Sequence, residues 1–117
     1  MRLIICLQVG LSPTYYYLTR MNIISYATIR EYYEKHAAAK AYLIDWYKIA
    51  RKAQWNSVQE IRRDFPSAEM IVDDKVVFNI KANHFRLVAL VWFKAKRIYV
   101  LWIGTHAEYS KITIKDL

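Results

Sequence analysis

A chain of 117 residues with 56% apolar side chains is long enough for one domain with a modest core, and two glycines and two prolines leave no room for long disordered linkers. The single cysteine, Cys6, excludes an intramolecular disulfide and suits a reducing cytoplasm; His36, His84 and His106 stand far apart with no second cysteine, so no metal site or other cofactor is expected. The net charge of +8 favours an anionic partner, nucleic acid foremost, because each neutralised phosphate releases counterions, and residues 73–117 hold eight basic against four acidic side chains.

Residues 1–20 (MRLIICLQVGLSPTYYYLTR) differ from the rest of the chain. The apolar run Leu3–Leu11 lacks the small-residue cleavage site of a signal peptide and is too short to span a bilayer. This stretch reads as an upstream extension, with Met21 the natural start and residues 21–117 the single domain. Met21–Ile24 is β-prone and reads as a first strand. Thr28 and Glu31 have capping-box spacing, which predicts a helix from Ile29 to Lys35. A stronger helix is predicted over Ala37–Ala53, with Ala39, Leu43, Trp46, Tyr47 and Ala50 on one face; with no Pro or Gly near His36 the two helices could also be nearly continuous. Lys48, Arg51 and Lys52 read as a solvated face near its end. Trp55 is expected to pack where that helix stops. Ser57 and Glu60 repeat the capping-box spacing and open a third helix that Pro66 ends.

The pattern then turns from helical to extended. Glu69–Val72 reads as a strand, Asp73-Asp74 as a turn, and Val76, Phe78 and Ile80 as one face of the next strand. A turn at Lys81–His84 leads to a hairpin of Phe85–Phe93 and Arg97–Thr105. These last strands are apolar on both faces, the mark of strands covered on both sides; Trp92, Tyr99 and Trp102 accordingly read as core or sheet-cover residues. The expected architecture is α+β, with helices first and an antiparallel sheet on which they pack.

If the anionic partner is RNA, cleavage without a metal needs a base for the 2′-OH proton, cations for the developing phosphorane charge and an acid for the leaving oxygen. His106 can donate or accept a proton near neutral pH. Arg86 and Lys81 can clamp a phosphate, Lys111 can stabilise charge, and Tyr109 can stack on a base or orient the phosphate. A short helix starting after Gly104 places His106 and Tyr109 on one face. A buried Arg86 needs a partner, and Glu108 would serve structurally as a phosphate would functionally. Asn83 and His84 fall in the adjoining turn.

The segments REYYEKH (Arg30–His36), LIDWYKIARKAQW (Leu43–Trp55), VVFNIKANHFRLV (Val76–Val88) and IGTHAEYSKI (Ile103–Ile112) together resemble the HigB toxins, RelE-superfamily mRNA interferases of type II toxin–antitoxin systems. The resemblance runs from about Ile23 to Ile112, and its specific part is the pair FNIKxNxFR and IGTHAEYxKI in this order. It implies a RelE-like α+β fold and a cytoplasmic endoribonuclease that cuts mRNA on the translating ribosome. It also implies a helix-turn-helix antitoxin (HigA-like) in a hetero-oligomer, with no membrane involved. By motif position it assigns catalysis to His106, Tyr109, Lys111 and Arg86, and RNA contact to Lys81, Asn83 and His84. Family members begin near Met21. One departure is Ala82, where the turn usually carries Gly, so a left-handed backbone there would be strained. Two other readings stay open: a non-catalytic basic module that binds RNA or protein, and a degenerate toxin that only binds its antitoxin.

Overall fold

The computed structural model describes residues 20–117; apart from Arg20, the expected extension over residues 1–20 lies outside the described residues. The elements run β1 (Asn22–Ile24), α1 (Tyr26–Lys35), a 3₁₀ turn (Ala37–Ala39), α2 (Lys40–Lys52), α3 (Val58–Asp64), β2 (Glu69–Val72), β3 (Lys75–Ile80), β4 (Phe85–Trp92), β5 (Arg97–Thr105), α4 (His106–Tyr109) and a 3₁₀ turn (Ile114–Asp116). The fold is α+β. The five strands lie in the order β1-β5-β4-β3-β2. Strands β2 to β5 pair antiparallel, whereas β1 pairs parallel with β5, so the sheet is mixed rather than wholly antiparallel.

The expected start of the first helix is corrected. Helix α1 starts at Tyr26, not after a Thr28 cap: Ser25 stands at the cap with φ 78° and offers no side-chain bond, and the Thr28 N–H bonds the Ser25 carbonyl at 3.0 Å. The Tyr26 ring meets Tyr47 of α2 at 4.4 Å, and that packing favours the earlier start. The first two helices are separate, as their predicted bounds have them, and not nearly continuous: His36 at φ −134° and ψ 76° breaks the chain between them. Ser57, by contrast, does cap α3, accepting from the Glu60 N–H at 3.4 Å.

The helices cover one face of the sheet. Of the stripe read from the periodicity, Ala39 (in the turn before α2), Leu43, Trp46 and Ala50 are buried and Tyr47 is half-buried against the core. They meet Val76, Phe78 and Ile80 of β3, Phe85, Leu87, Ala89 and Val91 of β4, and Ile98, Val100 and Ile103 of β5. Trp46, Phe65, Phe78 and Trp55 form the aromatic centre, with Phe78 5.3 Å from both Trp46 and Phe65. Trp55 is buried beyond α2 and donates its indole N–H to Asp64 at 2.9 Å. The step from Ile98 and Val100 to Ile103 breaks the two-residue period. A bulge makes this possible: Val88 pairs with Trp102 but Ala89 with Val100, leaving Leu101 over. The inserted residue keeps Ile103 on the core side and Trp102 and Gly104 on the other.

That other, open face carries Lys75, Val77 and Asn79 from β3 and Arg86, Val88, Leu90 and Trp92 from β4, with Gly104, Trp102, Tyr99 and Arg97 opposite them on β5. Val77 and Val88 are buried here too. Lys75 donates to the carbonyls of Ile114 and Lys115 at 3.2 Å, holding the C-terminal turn against the sheet. Trp92 is not a core or cover residue as expected: it is 48% exposed, and Tyr99 and Trp102 are half-buried. Two-residue periodicity assigns a face but not what lies over it.

Candidate active site at the end of the sheet

The β3–β4 turn and the end of β5 lie side by side, because Phe85 pairs with Ile80 on one side and Thr105 on the other. The turn needs left-handed backbone at both Lys81 (φ 52°) and Ala82 (φ 54°), the geometry for which glycine is the usual choice. Lys81 closes it, its carbonyl accepting from the His84 N–H at 3.1 Å and facing His84 Nδ1 at 3.0 Å. The His84 carbonyl in turn accepts from the His106 N–H at 3.0 Å, tying the turn to the first residue of α4.

Helix α4 is four residues long, too short to persist by hydrogen bonding alone. A capping box supports it. Thr105 Oγ1 accepts from the Glu108 N–H at 3.1 Å, and Glu108 Oε1 accepts from the Thr105 N–H at 2.8 Å. Hydrogen bonding of the Glu108 carboxyl to Thr105, first to its backbone N–H and then to its side chain, holds it below its usual range, with burial opposing and His36 and Lys111 adding to the shift. Glu108 is therefore not the partner of Arg86, correcting that expectation; the cap uses its carboxylate.

Arg86, only 8% exposed, finds its partners in the turn and in α4 instead. Its Nη2 donates to Asn83 Oδ1 at 2.5 Å and to His106 Nδ1 at 2.9 Å. Its Nη1 donates to the carbonyls of Asn83 and Phe85, both at 3.3 Å. A guanidinium has donors only, so the His106 Nδ1 it meets is an unprotonated acceptor and the ring proton sits on Nε2. Tyr109, one turn along α4, lies with its ring 5.7 Å from the guanidinium carbon. Burial raises the Tyr109 phenol, with Arg86 opposing and Glu69 adding to the rise. It therefore stays protonated at neutral pH, with its hydroxyl able to donate a hydrogen bond.

The structure thus brings Arg86, His106 and Tyr109 together, with Asn83 holding the guanidinium. Lys111 follows α4 and is exposed, as is His84. Lys81 and His84 shape the turn. Beside Arg86 and Tyr109 opens a cleft of about 470 Å³, lined also by Arg62, Glu69, Val77 and Asn79. The Arg62 Nε anchors its rim by donating to the Ala68 carbonyl at 2.9 Å. Sequence reading missed Asn79, Arg62 and Glu69. For Asn79 the signal was a polar residue in phase with Val77, opposite the apolar face of β3; for Arg62 and Glu69 only the folded chain supplies proximity. Gly104 was also missed as a packing residue: a Cβ there would collide with the end of the Trp102 indole and lie 3.1 Å from Glu108 Oε1. Among the described residues no group of three His, Cys, Asp or Glu side chains gathers as a metal site would require.

Helices on one face of a five-stranded mixed sheet make an α+β fold consistent with the RelE-like class, and comparison with known proteins supplies the family. Residues 39–112 match the HigB toxin family, described as the RelE-like toxic component of a toxin–antitoxin system. The chain belongs to that family. The mRNA interferase toxin HigB of Escherichia coli strain K12 is 27% identical over 95 residues, covering 80% of this chain and 91% of the relative. The mRNA interferase HigB of Escherichia coli O6:H1 is 30% identical over 95 residues, covering 80% and 92%.

Proposed function

We propose that this chain is an mRNA endoribonuclease, the toxin of a type II toxin–antitoxin pair, and that it cuts mRNA on the translating ribosome. The observation that carries this reading is the contact of Arg86 with His106 Nδ1 at 2.9 Å, in a chain of the HigB toxin family. The guanidinium is the natural seat for a scissile phosphate, since its fork matches two phosphate oxygens. A phosphate that draws Arg86 toward itself frees His106 Nδ1. The neutral imidazole then takes the 2′-OH proton as the 2′-oxygen attacks phosphorus. As the P–O5′ bond breaks, the imidazolium returns a proton to the 5′-oxygen, leaving a cyclic phosphate and a 5′-hydroxyl. Arg86 and Lys111 balance the extra charge on the phosphorane, and the Tyr109 hydroxyl donates to a phosphate oxygen. Lys81, Asn83 and His84 extend the contact with RNA along the turn.

A helix-turn-helix antitoxin is the partner this reading requires, and the cytoplasm the compartment. Among the described residues no helix is long and apolar enough to cross a membrane. The test is induction of the wild type and of His106→Ala and Lys111→Ala. The wild type is expected to arrest growth and cut translated mRNA, and each variant to relieve arrest while keeping its folded spectrum. A His106→Ala, Lys111→Ala double variant that arrests growth at the wild-type rate overturns the site. A wild type that leaves mRNA intact but still binds its antitoxin overturns the activity and favours a degenerate toxin. The same reading takes residues 21–117 as the whole domain. Met21 is buried and donates its N–H to the Ala53 carbonyl at 2.8 Å, so a chain beginning there is expected to melt and act like the full one.

A further inference from the structure

Beyond the cluster at its end, the open face of β4 and β5 carries a row of aromatic rings that the proposed chemistry does not use. Cross-strand partners share a face, so Trp102 (opposite Val88), Tyr99 (opposite Leu90) and Trp92 (opposite Arg97) lie on the side that also bears Arg86. Trp92 is 48% exposed at the far end. The near end is built around Gly104: with no Cβ beneath it, the Trp102 indole reaches over the strand toward Tyr109, whose ring centroid is 6.2 Å away. Arg97 and Lys94 are exposed at the far end, and none of the residues that β4 and β5 direct to this face is acidic.

We propose that this face is a stacking platform for single-stranded RNA, on which Trp102, Tyr99 and Trp92 hold bases of the strand leading away from Arg86 and His106. The proposal rests on the RNA-cleaving reading above and names the path its substrate takes. Six residues separate Arg86 from Trp92, about 20 Å of strand, enough for several nucleotides. Aromatic faces combined with cations are how surfaces bind single strands without reading sequence, since every base has a π-face and every linkage a charge. Trp, Tyr and Arg also serve as anchors in protein interfaces. What favours RNA is continuity: the row begins beside the guanidinium that would hold the scissile phosphate, and β4 and β5 direct no carboxylate to it, Glu69 standing two strands away from β4 on β2.

Cleavage of a trinucleotide spanning the scissile step is compared with cleavage of a strand of about ten nucleotides, using the full chain. Wild type is expected to prefer the longer strand through a lower KM. Trp92→Ala and Tyr99→Ala should each cut that preference by about 5- to 150-fold, the size of one base–aromatic stacking contact, and Trp92→Phe should restore most of it. Direct binding gives a second readout: a non-cleavable 2′-O-methyl strand is expected to quench tryptophan fluorescence, less so in Trp92→Phe, because Trp46 and Trp55 are buried.

If wild type cuts RNA and the long-strand preference is unchanged in both alanine variants, the platform is overturned while the nuclease reading stands. If wild type cuts nothing yet the 2′-O-methyl strand binds in a Trp92-dependent way, the platform stands and the nuclease reading falls. Variants that lose the antitoxin but keep the long-strand preference make the face a protein interface, and the proposal fails.

Discussion

Arg86 and Leu87 are neighbours in β4 but belong to different worlds. Leu87 points to the helix face and is fully buried among apolar side chains. Arg86 points to the open face, nearly as hidden from water, and is held by oxygen and nitrogen acceptors in the turn and in α4. One face is stabilised by removing apolar surface from water. The other keeps a charge in a nearly dry place, which is tolerable only with its donors satisfied. The first face makes the second possible, because a guanidinium can be aimed only from a rigid strand.

Exchanging these two residues for lesser versions separates the roles most sharply. Arg86→Lys keeps the charge but loses the fork. We expect cleavage to fall by about 10²–10³-fold, comparable to losing one preorganised donor at a reacting oxygen, far more than the loss of about 1–3 kcal/mol of stability from the unmade bonds to Asn83 and His106 can explain in a protein that stays folded. Leu87→Ala should do the reverse, costing about 2–5 kcal/mol of stability in denaturant titration, with residual activity following the folded fraction. An Arg86→Lys protein that cuts RNA normally breaks the comparison. The next effect in size is at Gly104, on the open face opposite Arg86. Gly104→Ala drives a methyl into the Trp102 indole and should cost about 1–3 kcal/mol, as overpacking does. Tryptophan fluorescence should shift as the ring is displaced. An unshifted spectrum with full stability means that the indole is not seated there.

Much of the helix face was legible because apolar periodicity is a direct record of burial. Ala39, Leu43, Trp46 and Ala50 follow the helical period, and Val76, Phe78 and Ile80 the strand period. The bulge at Leu101 was not legible, since one inserted residue leaves composition unchanged and alters only phase. The parallel pairing of β1 was missed for a related reason: three residues specify a strand but not a neighbour. On the open face, residue chemistry alone allowed an RNA site, and the family motif narrowed it to Arg86, His106, Tyr109 and Lys111. Which group holds which required the fold. Glu108 was the natural mate for Arg86 by charge, and the Thr105 cap claimed it instead.

The strain expected at Ala82 is present, with Lys81 and Ala82 both left-handed. Ala82→Gly should relieve about 1 kcal/mol of backbone cost, partly offset by the greater freedom of glycine in the unfolded chain. The measurable result is a small rise in melting temperature with cleavage intact. A fall in stability would mean that the alanine methyl makes a contact worth more than its strain.

The smallest expected effect tests whether the open face can be loosened without touching the other. The carboxyl of Glu108 is held below its usual range, chiefly by the Thr105 backbone bond. A depressed folded value means that the native state prefers the ionised form, so the cap is fully present above the ordinary glutamate range. It is lost as pH falls through the lowered value. In amide NMR spectra Thr105 and Glu108 should therefore titrate together at acid pH below that range, and Glu108→Gln should abolish the step. Amides of Leu87 and Val91, bonded within the sheet, should not follow. If they do move with Glu108, α4 is not a separable cap on a finished sheet, and the division between a face that folds and a face that acts is wrong.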